Sequence, residues 1–427
     1  MSFSGTLSNW RRAATRILGL LARPVRDAQG KGGVVLKTNR GYGSQAEIFL
    51  IGRVFRQSRP DRMADEESFL NQLRDIRRRI ARRALPGVAV TARFCGTEER
   101  VTTDRDGYFR VHLRPRYAPP SDALWHTVEL TLEQPQAAQA QAEVFIPPER
   151  CRYVVISDID DTVMETGVAN KLKMLWRLFV EDAASRAAFP GVGALYRALY
   201  LGRSGDEANP MLYVSRAPWG IYEVLDAFFA QHDIPAGPIL FLREWGISWK
   251  SPLPRKAEDH KRELIRNMLA LYHELPFVLI GDSGQHDPEV YRQIVDEYPG
   301  RVLAVYIRNV SRKGERIGEI EALASVVAEA GSSLVLAADS LAMAEHAAKL
   351  GLIAPEALAE VEAETAAAGE GRARVRTRRV EHATAHATAE AVARGDLQDA
   401  LGAEAGGTPP NVVIGPEMHE RRPGQDR

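Results

Sequence analysis

From Tyr153 onward, short apolar runs alternate with longer amphipathic stretches. The runs Tyr153–Ile156, Met211–Val214, Ile239–Leu242, Phe277–Ile280 and Val302–Ile307 are mostly rich in β-formers. Between them, about Lys171–Ala184, Gly193–Leu201, Gly220–His232, Ala257–His273 and Pro288–Glu297 read as helical. Strands apolar on both sides and separated by helices predict an α/β unit, a parallel sheet covered on both faces. Ligands on such sheets sit at the carboxyl ends of the strands, so the residues after each run are the ones to inspect.

Before this unit the pattern is different. Gly33–Lys37, Ala46–Val54, Gly87–Cys95, Glu99–Thr103, Tyr108–Leu113, Trp125–Leu132 and Ala142–Ile146 read as strands. Asp104-Arg105-Asp106-Gly107 carries the Asp-Gly hairpin signal between two of them. Many short strands with frequent turns predict a small β-sandwich, interrupted by a charged helix at about Asp65–Arg83 with an Arg-rich end. Cys95 is expected on a strand, as a small buried hydrophobe.

The ends of the chain are simpler. Trp10, Ala13, Ala14, Ile17, Leu18 and Leu21 recur at helical spacing, flanked by Arg11, Arg12, Arg16 and Arg23. This segment fits either a helix packed on its own protein or a helix lying on a membrane surface through residues 10–21. From about Glu321 the chain is rich in Ala and Glu and reads as helical. After Gly369 arginines, then Thr, Gly and Pro, indicate a disordered tail. The expected organisation is an amphipathic segment (1–30), a β-rich sandwich-like domain with one helical insertion (31–150), the α/β domain (151–320), a helical extension (321–368) and the tail (369–427).

Composition narrows the partners. Lys plus Arg is 56 and Asp plus Glu is 56, so the formal net charge is zero, which argues against a basic nucleic-acid coat. Two cysteines cannot build a disulfide framework or a four-cysteine zinc site. No stretch approaches ~18 consecutive apolar residues, so no transmembrane helix is expected. The expected location is cytoplasmic, with peripheral contact at the inner face of the membrane if the amphipathic segment binds lipid. The chain has nine lysines, so chemistry that needs one has few candidates.

The strand ends concentrate polar chemistry. The first α/β run leads into Ser157-Asp158-Ile159-Asp160-Asp161-Thr162, three carboxylates within four residues. Clustered anions at the mouth of a buried strand need compensation, and a hard divalent cation supplies it through oxygen ligands. The second run ends in Ser215-Arg216, where Ser215 can cap a helix or donate to a phosphoryl oxygen. The fourth ends in Gly281-Asp282-Ser283-Gly284-Gln285-His286-Asp287-Pro288, with two more carboxylates and glycines that let the backbone approach closely. Lys250, Lys256 and Lys261 are the lysines between Ser215 and Asp282. The order suits phosphoryl transfer. One Asp attacks phosphorus, a second exchanges protons with the leaving oxygen and water, Ser and Lys hold the phosphoryl oxygens, and acidic residues hold Mg²⁺.

This pattern resembles the phosphatases of the haloacid dehalogenase superfamily. Asp160 and Thr162, two and four residues after Asp158, favour a phosphatase over a dehalogenase. Receiver domains also combine Asp, Ser/Thr and Lys with Mg²⁺, but in a different order. Asp158-Ile159-Asp160-Asp161-Thr162, Val214-Ser215-Arg216-Ala217-Pro218-Trp219, His260-Lys261 and Ile280-Gly281-Asp282-Ser283-Gly284-Gln285-His286-Asp287-Pro288-Glu289 are similar to the catalytic domain of the actin-patch-protein phosphatidate phosphatases, a family with a fungal and many bacterial members.

The resemblance covers about residues 150–310. It implies a doubly wound parallel sheet of haloacid dehalogenase type with a small helical cap, and Mg²⁺-dependent conversion of phosphatidate to diacylglycerol. It assigns Asp158 as nucleophile, Asp160 as general acid/base and Lys261 as the motif lysine, with Lys256 as the alternative. Thr162, Ser215 and Arg216 would bind substrate. Asp158, Asp160 (through its backbone carbonyl), Asp282 and Asp287 (directly or through water) would surround the metal. The short insertion after Thr162, with Leu175, Trp176 and Phe179, implies an open site suited to a large or membrane-held substrate. Two rivals stand beside this reading: a phosphatase for a protein, nucleotide or sugar phosphate, and a partner-binding protein in which the α/β domain only scaffolds. The partner of the β-rich domain is not legible.

Overall fold

The computed structural model describes residues 33–56, 83–159, 189–216, 222–241, 257–310, 314–367 and 412–414. The expected N-terminal helix, the cap after Thr162 and all but the last residue of the Arg-rich helix expected at about Asp65–Arg83 lie outside the described residues; Arg83 itself opens a two-residue strand, Arg83–Ala84, rather than ending a helix.

The N-terminal unit holds β1 (Val34–Thr38), β2 (Gly41–Gly43), β3 (Ile48–Arg56), β4 (Arg83–Ala84), β5 (Ala89–Phe94), β6 (Thr97–Thr102), β7 (Tyr108–Leu113), β8 (Trp125–Leu132) and β9 (Ala138–Phe145). A sandwich of two packed sheets was expected. Instead the nine strands are hydrogen-bonded into one mixed sheet around a single apolar core of Val34, Leu50, Phe109, Val128 and Val144 among others. The reason is β3, which is long enough to pair with β1, β2, β4 and β7 along its two edges. Gly52 allows the crossing, because a β-carbon there would lie 2.2 Å from the Phe109 ring. Cys95 is not on a strand. It forms the β5–β6 hairpin turn with Gly96, at φ 40° and 76°, and is half-buried. Two consecutive positive φ values match the twist of a two-residue hairpin.

The α/β unit contains β10 (Val154–Asp158), α1 (Val192–Leu201), β11 (Met211–Ser215), α2 (Tyr222–Gln231), β12 (Ile239–Phe241), α3 (Ala257–Leu271), β13 (Phe277–Asp282), α4 (Asp287–Glu297) and β14 (Val302–Arg308). It continues through α5 (Gly314–Glu329), β15 (Ser333–Ala337), α6 (Ser340–Lys349) and a helix α7 over 357–367. The reading of 321–368 as a purely helical extension is therefore corrected. Ser333–Ala337 is a fully buried strand, parallel to β14. Val412–Ile414 (β16), from the stretch expected to be a disordered tail, pairs antiparallel with β15.

The sheet order is β12-β11-β10-β13-β14-β15-β16. The chain starts in the middle at β10, moves out one way to β12, then returns to β13 and moves out the other way. Alternate residues face opposite layers: Val155 and Ile280 pack with α1, α2, α6 and α7, whereas Ile156 and Leu279 pack with α3, α4 and α5. Burial of both faces is what makes these strands continuous apolar runs.

The two units touch. Tyr42 packs among the residues of the second layer, with Phe49 against them. Arg40 ion-pairs with Asp226 of α2 and, at 3.2 Å, with Glu143 of β9, and its guanidinium lies over the Trp125 ring at 5.6 Å. The Arg40 backbone N–H donates to the Tyr222 hydroxyl at 3.3 Å. The β unit thus braces the helix that follows the Ser215 strand. Among the described residues no helix is long and apolar enough to cross a membrane.

Candidate active site

The chain reverses its direction of travel between β10 and β13, and crevices at such switch points bind ligands in open α/β sheets. Asp158 is the last residue of β10 and Asp282 the last of β13. The strands are in register, with Ser157 opposite Ile280, so both carboxylates arrive at the same edge. Asp287 opens α4, directly below. Ligand oxygens of Asp158, Asp282 and Asp287 all lie within 4.8 Å of one another, and all three residues are buried.

Lys261 rises from the first turns of α3 and is itself buried. Its ammonium lies 2.8 Å from Asp158 Oδ1 and 2.5 Å from Asp287 Oδ1. Burial alone disfavours its charge, but Asp158 and Asp287 outweigh that and hold the ammonium above the ordinary lysine range. Lys261 is therefore charged at neutral pH, and three carboxylates around one ammonium leave an excess of negative charge.

The loop after β13 completes the cluster. Gly284 N–H and Gln285 N–H donate to Asp282 Oδ1 at 2.7 and 3.0 Å. The Gln285 side-chain amide donates to Asp282 Oδ2 at 2.8 Å and to Asp158 Oδ2 at 3.1 Å, joining the two strand ends. Asp287 Oδ2 accepts from the Asp282 N–H at 3.2 Å. This packing needs Gly281, since a β-carbon there would meet Asp287 Oδ2 at 2.3 Å. Below the cluster, Tyr291 donates to the Ile280 carbonyl at 3.0 Å. Burial first, then the charges of Asp287, Asp158 and Asp282, keep its phenol protonated well above the usual range.

A second hydrogen-bonded chain supports Asp158 from the opposite layer. The Ser157 hydroxyl donates to the Asp158 carbonyl at 2.9 Å and meets the Tyr196 hydroxyl at 2.6 Å. With the serine proton committed, Tyr196 is the donor in that contact. Burial pushes the Tyr196 phenol up to about 12, so it keeps the proton it donates.

The structure brings together Asp158, Lys261, Asp282 and Asp287 from the expected set. Ser215, buried, ends β11 one residue past Val214, the partner of Asp158 in the neighbouring strand; half-buried Arg216 follows. Asp160, Thr162 and Lys256 lie outside the described residues. His286 is largely exposed, 3.4 Å from Glu258. Sequence reasoning did not assign Gln285, Tyr196, Tyr291 or Arg316 a part in the site. Gln285 could have been found inside the quoted motif, as an amide able to span two carboxylates; the other three carry no local signal.

The donor set fits a hard divalent cation. Among the described residues it offers carboxylate oxygens, held close, buried and in excess over the ammonium of Lys261. At an effective dielectric of ~20, two like charges 4.8 Å apart repel by about 3 kcal/mol, so ionised carboxylates gathered this closely call for a further counter-charge. A divalent ion would supply it.

Comparison with known proteins points to the same segment. Residues 153–309 match the family described as phosphatidate phosphatase APP1, catalytic domain. The chain is 30% identical over 224 residues to phosphatidate phosphatase APP1 of Saccharomyces cerevisiae, covering 51% of this chain and 35% of that protein. It is 26% identical over 219 residues to an uncharacterised protein of Schizosaccharomyces pombe, covering 50% of this chain and 35% of that one. The chain thus spans about a third of the length of these relatives. A carbohydrate acetylesterase from Xanthomonas citri aligns over 70% of this chain and 75% of its own at 10% identity, with a TM-score of 0.25, too low to bear on fold or function. The family match, which spans β10 to the end of β14, bears out the resemblance of this segment to the phosphatidate phosphatase catalytic domain.

Proposed function

We propose that this chain is a Mg²⁺-dependent phosphatidate phosphatase that works through an aspartyl phosphate on Asp158, on a doubly wound sheet of haloacid dehalogenase type. The observation that carries the reading is the buried cluster of Asp158, Asp282, Asp287 and Lys261 at the switch point between β10 and β13. The match to a phosphatidate phosphatase catalytic domain supports the substrate.

In this reading an Asp158 carboxylate oxygen attacks phosphorus, and the bond from phosphorus to the glyceride oxygen breaks. Asp160 gives the leaving oxygen its proton and then takes one from the water that cleaves the acyl phosphate. Gln285 and Lys261 fix the carboxylate of Asp158, so that little reorientation is needed before attack. Lys261 also offsets charge that builds on the phosphoryl oxygens. Ser215, on the adjacent strand end, binds one of those oxygens, and Thr162 and Arg216 supply further substrate contacts. Asp158, Asp282 and the Asp160 carbonyl would hold Mg²⁺, with Asp287 acting directly or through water. When bound, the ion neutralises the carboxylates and the anionic substrate, which would otherwise repel each other.

Phosphate release should be measured from phosphatidate in mixed micelles, p-nitrophenyl phosphate, phosphopeptides, nucleotides and sugar phosphates, each with Mg²⁺ and with EDTA. The expected result is Mg²⁺-dependent turnover, highest in kcat/KM on phosphatidate and abolished by EDTA. Full activity in EDTA would contradict the role given to the carboxylates. A water-soluble phosphomonoester preferred by a large factor would keep the chemistry and replace the substrate.

A further inference from the structure

Arg316, on the first turn of α5, directs its guanidinium mainly to the segment that carries Asp282, Gln285 and Asp287, with one further bond to Glu319 on its own helix. Its Nε–H donates to the Ser283 carbonyl at 3.1 Å. One terminal nitrogen donates to the Gln285 carbonyl at 2.9 Å and to Glu289 Oε2 at 3.0 Å. The other pairs with the second oxygen of Glu289, and with Glu319 at 3.0 Å.

The effect of those bonds follows from peptide geometry. The Ser283 C=O and the Gly284 N–H belong to one planar trans unit and point in opposite directions. With the carbonyl fixed outward on Arg316, the Gly284 N–H is fixed inward on Asp282 Oδ1. The hold on the Gln285 carbonyl likewise sets the residue whose amide spans Asp158 and Asp282. Glu289 lies in the first turn of α4, so the same fork ties the helix that begins with Asp287. One planar, five-donor group therefore orients three of the residues that shape the carboxylate cluster, and an ammonium could not span those acceptors.

We propose that Arg316 is a positioning residue of the cation site, which it serves by holding the 283–289 loop in the binding geometry. This rests on the divalent-cation reading above. The signs of two possible roles differ. As a mere positive charge near a cation site, Arg316 would weaken cation binding, and its removal would tighten it. As a positioning residue, its removal weakens binding.

The test is titration of the full chain with Mn²⁺, with free ion read by electron paramagnetic resonance, for the wild type, Arg316→Gln and Arg316→Lys. Both variants should bind Mn²⁺ about tenfold or more weakly, as when the partner that orients a metal ligand is removed. The Mg²⁺ concentration for half-maximal phosphatase activity should rise by the same factor, with kcat at saturating Mg²⁺ largely retained. Unchanged or tighter Mn²⁺ binding by folded variants, or full rescue by lysine, would overturn the proposal. Should Arg316→Gln not fold, Glu289→Gln removes part of the same fork and should shift Mn²⁺ affinity in the same direction; no shift would overturn it. A wild type that binds no Mn²⁺ would instead overturn the cation reading itself.

Discussion

Asp158→Asn should lose phosphatidate turnover by on the order of 10⁴-fold or more while remaining folded. An amide fills the same volume and its carbonyl can still accept the Gln285 amide proton, so the contact between the strand ends survives. The amide cannot act as the anionic nucleophile. Any loss of stability should be modest: the substitution removes one of three mutually repelling carboxylates and leaves Lys261 paired with Asp287, which offsets the amide nitrogen now facing the ammonium. Steady-state turnover and thermal melting of the same preparation check both halves. Wild-type turnover by a folded Asp158→Asn would sink the mechanism.

The second large effect concerns Lys261. Lys261→Met should reduce turnover by on the order of 10²–10³-fold, the usual cost of removing a preorganised donor from developing charge. It should also destabilise the apo protein by about 3–5 kcal/mol, because two buried carboxylates lose their counter-charge. Saturating Mg²⁺ should return part of that loss, which separates a cation site from an ordinary buried ion pair. The wild-type contribution has a definite pH window. The folded state holds the Lys261 proton more tightly than the unfolded chain. Its stabilisation is therefore fully present below the ordinary lysine value of 10.5 and is lost as the pH rises from there through the folded-state value. Melting in EDTA at neutral and strongly alkaline pH, for wild type and variant, tests this. Their curves should converge at high pH; a constant gap across the range would contradict it.

How much of this was legible in the sequence depended on whether the signal was local. The central strands were readable because each is apolar on both faces, and Asp158, Ser215 and Asp282 stood at their ends. Ser333–Ala337 was missed because a five-residue apolar run inside Ala-rich, Glu-rich surroundings has the composition of a helix, and only pairing with β14 decides it. The β unit was read strand by strand, but its wrapping into one sheet depends on the four partners of β3, which no periodicity reveals. Cys95 was misplaced because its strand pattern runs directly into the turn, and the positive φ there favours residues other than cysteine. The resemblance singles out Lys261 over Lys256; Lys261 lies against Asp158 and Asp287, while Lys256 is outside the described residues. Tyr196 and Arg316 reach the site from distant parts of the chain, so their parts exist only in three dimensions.

The central claim is that phosphate passes through Asp158. The most direct measurement is an acid quench during steady-state turnover of phosphatidate labelled in its phosphate, with Mg²⁺ present, followed by peptide mapping of the bound label. The account predicts label on the peptide that contains Asp158, stable in acid, released by hydroxylamine, and missing from Asp158→Asn. Active enzyme that carries no bound label within a single turnover, or carries it on a different residue, would contradict the account.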